Sequence, residues 1–474
     1  MHRRTVKFML GVAASILVAT PALAQKTAVT DADRAMVREM VEEAISFRTA
    51  KGHGQVPALV DALTARFRAA GFAAEDIQPV PVEVDGETTM GLVVRYRGAG
   101  KAAKKPIAFL AHMDVVDALA ENWSTDPFKP VEKDGYLYGR GSSDNKAGMT
   151  LVAATFMRLK KAGWTPNRDL VIAFSGDEET GMRTTRALTQ HPWVKDAEFA
   201  LNADAGGGSM ERDGSNPIFS IQAAEKTFAT FLISTSNPGG HSASPRADNA
   251  IYELADAIKA VQALKFPVLF NEITRDMVKK TAAKRGGEVG AAFNRLLADP
   301  NDAAARAVVE TVPDSNILWT TCVATMLKAG NAPNALPQNA VATVNCRIFP
   351  STPVAEVQQT LAKAIGNPAV KVELDGEAVE SPASPINEPL FAILRKAIHA
   401  NYPGAPADPS MSSGGTDGRE YRRVGIPTYG AGSLAMVRPD DSRAHGTDER
   451  LLLNSFYKEL VFWDVLLKSL AGGK

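Results

Sequence analysis

This sequence of 474 residues has no excess of positive or negative charge, few cysteines and few long apolar runs. Each of these features argues against a class of protein. Lys+Arg and Asp+Glu both number 53, so no basic excess is available to neutralise a nucleic acid backbone or to hold the chain on an anionic membrane. Beyond the N-terminal segment no stretch reaches the roughly 18 consecutive apolar residues of a membrane-spanning helix. The 45% hydrophobic content indicates instead a globular chain with enough length for two or three domains.

The N-terminus has the order of a secretory signal. Basic residues precede an apolar run over residues 8–18, and Ala24 closes a small-residue cleavage site before Gln25. Charged, apolar and cleavage regions in this order are typical of an exported chain. The sequence predicts a signal peptide over 1–24 and a periplasmic or secreted mature protein. An uncleaved anchor or a buried N-terminal helix is the alternative.

The sequence contains two cysteines, Cys322 and Cys346. Residues 316–327 and 340–349 have the composition of strands and flank a turn-rich segment. Folding this hairpin about Asn334 places the two cysteines opposite each other, and an exported compartment allows them to pair. A cross-strand disulfide is therefore predicted, with two free buried thiols as the alternative because the register is open.

Short apolar strands alternate with helices in the first half of the chain. The predicted helices cover 34–47, 56–70, 148–162 and 184–191, and the predicted strands cover 106–111, 169–174 and 198–202. Continuous apolar strands separated by helices predict an α/β fold, with a mostly parallel sheet covered by helices on both faces. Such sheets bind ligands at the carboxyl ends of their strands.

The pattern changes near residue 222 and returns near residue 385. In between, an alternating strand over 227–235 and a helix over 247–264 indicate an inserted α+β domain, and the polar stretch 271–313 predicts extra helices on it. After the insert come a helix over 388–401, a strand over 425–430 and a last helix over 449–470. The predicted division is a catalytic domain over 25–221 and 385–474, with a lid or dimerisation domain over 222–384.

Side chains that commonly bind metals occur just after strands or in loops at five points of the chain. They are His112, Asp144, the pair Glu178 and Glu179, Asp204, and His445. Imidazole nitrogen and carboxylate oxygen are the ligands of zinc sites that keep a position open for water. A single histidine after a strand is more often a satisfied loop residue, and paired glutamates are usually a solvated surface. The hypothesis of a metal centre therefore depends on all of these side chains occurring together.

With these motifs the sequence resembles the co-catalytic zinc exopeptidases and deacylases, which include glutamate carboxypeptidase, succinyl-diaminopimelate desuccinylase, acetylornithine deacetylase, aminoacylase and carnosinase. The resemblance covers nearly the whole mature chain and implies the zinc-exopeptidase type of α/β fold. It further implies two zinc ions, with cobalt or manganese as substitutes. It assigns His112 and Asp204 to one ion, Glu179 and His445 to the other, and Asp144 to both.

The same resemblance implies the roles of two neighbouring acids. Glu178 would be the general base, taking a proton from water and passing it to the leaving nitrogen. Asp114 would orient the second ring nitrogen of His112. No role is assigned to Asp177.

Further candidates lie in the insert and near the C-terminus. His241, in the run Gly239 to Ser242, resembles the lid histidine that stabilises an oxyanion, often in the site of a partner subunit. Arg347 matches the lid arginine that binds the substrate carboxylate through two parallel hydrogen bonds. A Gly-rich turn and a strand-edge arginine are the respective alternatives. Asn339 and Asp417 lie where family members touch substrate.

The predicted function is an exported dizinc hydrolase of the carboxypeptidase or dipeptidase type, which cleaves the amide bond next to a free carboxylate. An N-acyl-amino-acid amidohydrolase is the alternative, and a non-catalytic binding protein is disfavoured because all proposed ligands and the base are present. The substrate would be a small peptide or an N-acyl amino acid, and a homodimer could form through the lid. The stretch 271–313 enlarges the lid, as in the branch that resembles glycine-X carboxypeptidases and N-fatty-acyl amino-acid hydrolases. It therefore stays open whether His241 serves its own chain or a partner.

Overall fold

The structure is a computed structural model and describes residues 29–99 and 104–472. The predicted signal peptide lies outside the described residues. Among the helices of the described part, none has both the length and the apolar character needed to cross a bilayer.

The first part of the chain alternates buried strands with helices, as its pattern predicts. Its helices are α1 (Asp31–Ser46), α2 (Val56–Ala69), α3 (Lys146–Lys161) and α4 (Arg183–Thr189). Its strands are β1 (Ile77–Val84), β2 (Glu87–Tyr96), β3 (Ile107–His112), β4 (Val131–Lys133), β5 (Tyr136–Tyr138), β6 (Leu170–Ser175), β7 (Phe199–Asn202), β8 (Gly208–Met210) and β9 (Ile218–Glu225). Every residue of β3 and β6 is buried, which explains why these two strands are uninterrupted apolar runs.

The middle part, here called the insert, covers residues 227–375. Its strands are β10 (Thr227–Ser236), β11 (Gly240–His241), β12 (Thr321–Ala329), β13 (Ala335–Leu336), β14 (Asn339–Ile348) and β15 (Lys371–Asp375). Its helices are α5 (Ala250–Ala263), α6 (Glu272–Arg285), α7 (Gly287–Ala298), α8 (Ala303–Val309) and α9 (Val354–Ile365). Strands β12, β14, β10 and β15 form an antiparallel sheet in that order, which packs with α5 and α9 around Phe231, Leu254 and Leu361. Helices α6 to α8 enclose a core of their own and confirm the extra helices predicted over 271–313.

The last part of the chain completes the main domain, a name used here for everything outside the insert. Its elements are α10 (Glu388–His399), β16 (Ala407–Ser412), α11 (Gly418–Arg423), β17 (Thr428–Gly430), β18 (Ala435–Val437), β19 (Arg450–Leu452) and α12 (Leu453–Ala471). Within the described residues, six strands form the central sheet in the order β1-β2-β6-β3-β7-β17. Strands β6, β3, β7 and β17 are parallel, whereas β1 and β2 add an antiparallel hairpin at one edge. The predicted mostly parallel sheet is confirmed, although no strand was predicted over β1 and β2.

Helices cover both faces of the central sheet because successive strand residues point to opposite sides. Phe109 and Ile172 belong to one core together with residues of α1, α3 and α12. Ala108 and Val171, their neighbours along the strands, belong to a second core with residues of α4 and α11. The edge formed by the strand ends is left open between the two layers of helices.

Three bounds in the structure differ from the sequence-based ones. Residue 222, where the predicted insert begins, lies inside β9, which pairs in parallel with β16 as far as Glu225; the division into domains stays a prediction. The last helix begins at Leu453, because the three residues before it form β19 and pair with β5. The predicted strand 425–430 is reduced to Thr428–Gly430.

The two cysteines lie on neighbouring strands of the insert. Cys322 in β12 is the direct cross-strand partner of Cys346 in β14, and the two sulfurs are bonded. The cross-strand disulfide predicted from folding the hairpin about Asn334 is confirmed, and the alternative of two free thiols is wrong.

Candidate metal centre

The predicted ligands all lie at the carboxyl-terminal edge of the central sheet or in the loops beside it. His112 is the last residue of β3, Glu179 follows β6, and Asp204 follows β7. Asp144 precedes α3, and His445 lies in the loop before β19. Because parallel strands end at the same edge of a sheet, residues far apart in the sequence meet here.

The side chains of these residues converge around Asp144. The Nε2 atom of His112 is 3.0 Å from Oδ1 of Asp144 and 3.6 Å from Oδ1 of Asp204. The Nε2 atom of His445 is 3.2 Å from Oδ2 of Asp144 and 3.0 Å from Oε1 of Glu179. Asp144 therefore turns one oxygen to each imidazole, which is the arrangement expected of a carboxylate between two cations.

Two sets of three ligand atoms are close enough to hold a metal ion each. His112, Asp144 and Asp204 form one set, and Asp144, Glu179 and His445 form the other, with all ligand atoms of a set within 4.8 Å of one another. A third set combines His112 with Glu178 and Glu179. The predicted ligands thus form two sites that share Asp144.

The electrostatics of the site favour bound cations. Burial lowers the pKa of His112, but the surrounding carboxylates of Asp114, Asp144 and Asp204 outweigh it, and the pKa lies well above its ordinary value. Hydrogen bonds to Asp144 and Glu179 raise the pKa of His445 to about 10. Carboxylates that hold a proton on an imidazole this strongly also attract a divalent cation, which displaces that proton when it binds. The nitrogen and oxygen donors fit zinc.

Asp114 orients His112, but mainly through its backbone rather than through the predicted carboxylate. The Nδ1 atom of His112 is 2.9 Å from the main-chain oxygen of Asp114 and 3.6 Å from its Oδ1. A proton on Nδ1 leaves the Nε2 lone pair free for a metal. The Asp114 carboxylate accepts hydrogen bonds from the main-chain N–H groups of Glu178 and Glu179, at 3.1 and 3.0 Å. One residue therefore positions both a ligand histidine and the acidic loop opposite it.

In that acidic loop, Glu178 and Asp177 are in different environments. Burial raises the pKa of Glu178 well above its ordinary value, and the charges of Asp204 and Asp417 add to the shift. A carboxylate with a raised pKa is suited to take a proton from water. Asp177 accepts hydrogen bonds from the main-chain N–H groups of Arg183 and Thr184, at 2.7 and 2.9 Å, and so holds the start of α4.

A buried residue that the sequence analysis did not single out, Glu449, holds the loop that carries Asp144. One carboxylate oxygen accepts hydrogen bonds from the N–H groups of Ser143 and Asp144, at 2.7 and 2.9 Å. The other accepts from the Gly141 N–H at 2.9 Å and pairs with Arg140 at 2.8 Å. Glu449 closely follows a predicted ligand histidine in the chain, but nothing in the sequence indicates which loop it contacts.

Two adjoining cavities open at the metal centre. The first has a volume of about 500 Å³, and Leu434 and Met436 line it beyond the ligands. The second has about 520 Å³ and extends toward Arg347 in the insert. Glu178, Glu179 and Gly415 line both cavities, so a bound molecule can extend to either side of the metal centre.

Arg347 is the predicted substrate-binding residue that the structure brings to the site. Its guanidinium lies over the Phe228 ring at 4.8 Å and donates to the main-chain oxygen of Ser413 at 3.4 Å. It lines the second cavity together with Glu178. Arg347 therefore lies in the second cavity, away from the proposed metal ligands that line only the first cavity, and can bind a group of the substrate there.

Two other predicted site residues, His241 and Asn339, do not line these cavities. His241 is exposed in the short β11–β13 pairing, where its Nδ1 accepts the Ala243 N–H at 3.0 Å. Asn339 is exposed at the start of β14. Neither residue lines the two cavities at the centre.

The placement of Asp417 differs from the prediction that it touches substrate. Its side chain is buried and accepts hydrogen bonds from the hydroxyls of Ser175 and Thr185. Burial raises the pKa of Asp417 to about 7. With both oxygens used in this way, Asp417 anchors the loop before α11 to the end of the sheet.

Comparisons with known proteins agree with this geometry. Residues 108–469 match the sequence model of Peptidase family M20/M25/M40. The chain is 29% identical over 370 residues to the N-fatty-acyl-amino acid synthase/hydrolase PM20D1 of Xenopus tropicalis, covering 75% of this chain and 72% of that protein. It is 27% identical over 393 residues to the probable carboxypeptidase S-like 2 of Dictyostelium discoideum, covering 80% of this chain and 74% of that protein.

Solved structures show the same fold. The M20 family metallo-carboxypeptidase Sso-CP2 from Sulfolobus solfataricus aligns with a TM-score of 0.67 at 16% sequence identity, covering 91% of this chain and 98% of that chain. The predicted α/β architecture with a separate antiparallel domain is therefore confirmed.

Proposed function

The chain belongs to peptidase family M20/M25/M40 and is a metallohydrolase of that family; from this premise we propose that it is an exported dizinc enzyme that cleaves the amide bond next to a free carboxylate. One arrangement carries the proposal. Two imidazole–carboxylate sets share Asp144, and the ligands Asp144, Asp204 and His445 line the first cavity. Glu178 and Glu179 line both this cavity and the second one, which Arg347 also lines.

In the proposed mechanism each residue has one task. His112 and Asp204 would hold one zinc ion, Glu179 and His445 the other, and Asp144 both. When bound, the two ions would supply Lewis acidity that lowers the pKa of water and polarises the scissile carbonyl.

The proton is handled by the protein itself. Glu178 takes the proton of the attacking water and passes it to the leaving nitrogen. Asp114 keeps Glu178 in place through the main-chain N–H at 3.1 Å. Arg347 binds the free carboxylate of the substrate, because a planar guanidinium donates two parallel hydrogen bonds to the two oxygens.

Two substrate classes share this chemistry. A C-terminal peptide bond and an N-acyl amino acid both place a carboxylate one carbon away from the scissile nitrogen. Apolar walls of the first cavity at Leu434 and Met436 suit either an apolar peptide side chain or an acyl chain. The relatives include proteins named for each activity. Carboxypeptidase activity is the favoured hypothesis, because an exported enzyme meets nutrient peptides.

Export is supported by two separate features. The N-terminal sequence has the order of a signal peptide, and the Cys322–Cys346 disulfide is typical of oxidising compartments.

A substrate panel tests the proposed function. The metal-loaded enzyme is offered dipeptides, N-acetyl amino acids and N-long-chain-acyl amino acids, each as the free acid and as the C-terminal amide, with products identified by mass. We expect hydrolysis of the free acids and far slower hydrolysis of the amides. Equal rates on acid and amide would refute the role of the carboxylate, and the preferred acyl group separates the two substrate classes.

We further propose that the chain forms a homodimer through the insert and that His241 acts in the partner's site. Strand β12 lies at the edge of its sheet and exposes Val323, Met326 and Leu327, whose relative exposures are 60%, 70% and 66%. An exposed apolar edge strand is a surface on which another chain commonly packs. His241 lies in β11, which pairs with β13 in the segment that joins β12 to β14, and it lines neither of the two cavities at the metal centre.

A mixture of two inactive variants tests this arrangement. Glu178→Gln and His241→Ala are each expected to be inactive alone. Co-expressed in equal amounts they should recover about a quarter of wild-type activity, because half of the dimers are mixed and each mixed dimer has one intact site. A mixture as inactive as its components would assign His241 to its own chain.

A further inference from the structure

In the described part of the chain, two arginine side chains in the wall of the second cavity have no acidic partner at ion-pair distance. Arg347, from β14 of the insert, donates to the main-chain oxygen of Ser413. Arg419, from α11 of the main domain, is in contact with Sδ of Met182 through its Nε at 3.1 Å. Within residues 29–99 and 104–472, neither guanidinium forms an ion pair with a carboxylate.

The other two arginines of the same wall are neutralised locally. Arg183 lies 3.7 Å from Asp85. Arg186 pairs with Glu377 at 2.8 Å and with Glu420 at 2.9 Å. Of the four arginines in this wall, Arg347 and Arg419 are therefore the two without a carboxylate at ion-pair distance in the described part of the chain, although Glu178 and Glu179 line the same cavity.

One loop brings the two unpaired guanidiniums together. The loop contains Ser413, whose main-chain oxygen accepts a hydrogen bond from Arg347. It also contains Gly415, where a Cβ atom would lie only 3.4 Å from Nη1 of Arg419. Burial lowers the pKa of Arg347, and the charge of Arg419 lowers it further, so the two charges are close enough to repel. Like charges in a partly buried wall are unfavourable unless an anion lies between them.

We propose that Arg419 is a second carboxylate-binding residue, and that the free carboxylate of the substrate lies between Arg347 of the insert and Arg419 of the main domain. The inference rests on the proposed function and adds a specificity-determining residue to it. A carboxylate has two oxygens and about four acceptor positions, so it can accept hydrogen bonds from two guanidiniums at once. A C-terminal amide carries no charge and has one acceptor oxygen, which satisfies only one of them. The preference for a free acid therefore depends on both domains.

The test measures the preference for acid over amide in single variants. The best free-acid substrate of the panel and its C-terminal amide are assayed with the wild-type enzyme, Arg419→Gln, Arg419→Lys and Arg347→Gln. We expect Arg419→Gln to reduce the acid-to-amide ratio of kcat/KM about ten- to hundredfold, since it removes charge-assisted hydrogen bonds. The loss should appear mainly in KM of the acid and should be smaller for the amide, while zinc content and Tm remain unchanged. Arg419→Lys should recover part of the ratio because it restores the charge without the planar fork.

Arg183→Gln is the matched control, because Arg183 lines the same cavity but is paired with Asp85. It should leave the ratio unchanged. Calorimetric binding of the acid and the amide in a Glu178→Gln background separates affinity from turnover, and should show the same loss for Arg419→Gln. An Arg419→Gln ratio equal to that of the wild type, with a collapsed ratio in Arg347→Gln, would overturn the inference. A wild-type enzyme without any acid preference would instead refute the proposed function.

Discussion

Replacing Glu449 with glutamine should weaken metal binding although Glu449 is not a proposed ligand. Its two oxygens hold the loop from Arg140 to Asp144, which carries the carboxylate between the two metal sites. Glutamine keeps one acceptor oxygen and places an NH₂ group where the other oxygen stood. In the orientation that loses fewest contacts, the N–H of Gly141 and the guanidinium of Arg140 face this NH₂ group without an acceptor.

The magnitude follows from these contacts. Glu449 and Arg140 form a buried ion pair at 2.8 Å, with side-chain exposures of 0% and 3%. Removing one member of such a pair costs about 3–5 kcal/mol of unfolding free energy, because a buried charge is left without its partner. Loss of an outer-shell contact that orients a metal ligand typically weakens metal binding about 10–100-fold. We therefore expect Glu449→Gln to lower both the Tm of the metal-free protein and the affinity for zinc.

Glu225→Gln separates the two effects. Glu225 is also buried, pairs with Arg422 at 2.8 Å and accepts hydrogen bonds from the N–H and hydroxyl of Thr416, at 3.0 and 2.6 Å. It should destabilise the fold to a similar extent, but it does not contact the loop of Asp144. Zinc affinity is measured by competition with a chromogenic chelator, and stability by thermal unfolding without metal. If both variants lose the same stability and both keep wild-type zinc affinity, Glu449 has no positioning role.

Three further predictions concern the base, the disulfide and a buried acid. Glu178→Gln should keep two zinc ions per chain by metal analysis while kcat falls by about 10²–10⁴; loss of metal together with activity would make Glu178 a ligand. Intact-mass measurement of the exported protein should show the loss of two hydrogens that a disulfide requires. Replacing Cys322 and Cys346 by alanine should lower the free energy of unfolding by about 3 kcal/mol, because the disulfide closes a loop with a sequence separation of 24 residues. Burial raises the pKa of Glu459 from 4.5 to about 8, so between these values the folded state holds a proton that the unfolded state has lost, and stability falls as pH rises. Glu459→Gln should remove this pH-dependent loss of stability. The Tm of the variant minus that of the wild type should therefore increase as pH rises from 4.5 to about 8 and stay constant above it. A Tm difference independent of pH would contradict the raised pKa of Glu459.

The fold could be predicted largely because its signals are local. The buried runs of β3 and β6 are short and apolar, and helices separate them, which already indicates a parallel sheet. The β1–β2 hairpin was not predicted, because its burial alternates irregularly and does not form one continuous apolar run. The pattern change near residue 222 does not show that β9 continues to Glu225, because β9 pairs there with β16, which lies almost two hundred positions away in the chain.

The site was predictable only in part, for a similar reason. His112, Asp144 and His445 stand in motifs that resemble a known family, so their convergence could be expected. The contacts of Glu449 with the Asp144 loop join residues 305 to 309 positions apart. No short motif marks such a contact, and the same holds for Arg419, whose missing partner becomes visible only when every neighbouring charge is placed.

By itself, the sequence determined which chemical groups are present, that the strands are apolar enough to be buried, and that two cysteines can face each other across a hairpin. These properties depend on residue type and short-range spacing, which the linear order contains. Only the tertiary structure decided that Asp417 is enclosed by hydroxyls, that Asp114 orients His112 through its main chain, and that Arg347 and Arg419 line the same cavity. These contacts join segments that meet only after folding. The burial of a side chain and the pairing of its charge depend on the residues around it, and the linear sequence does not show which residues those are.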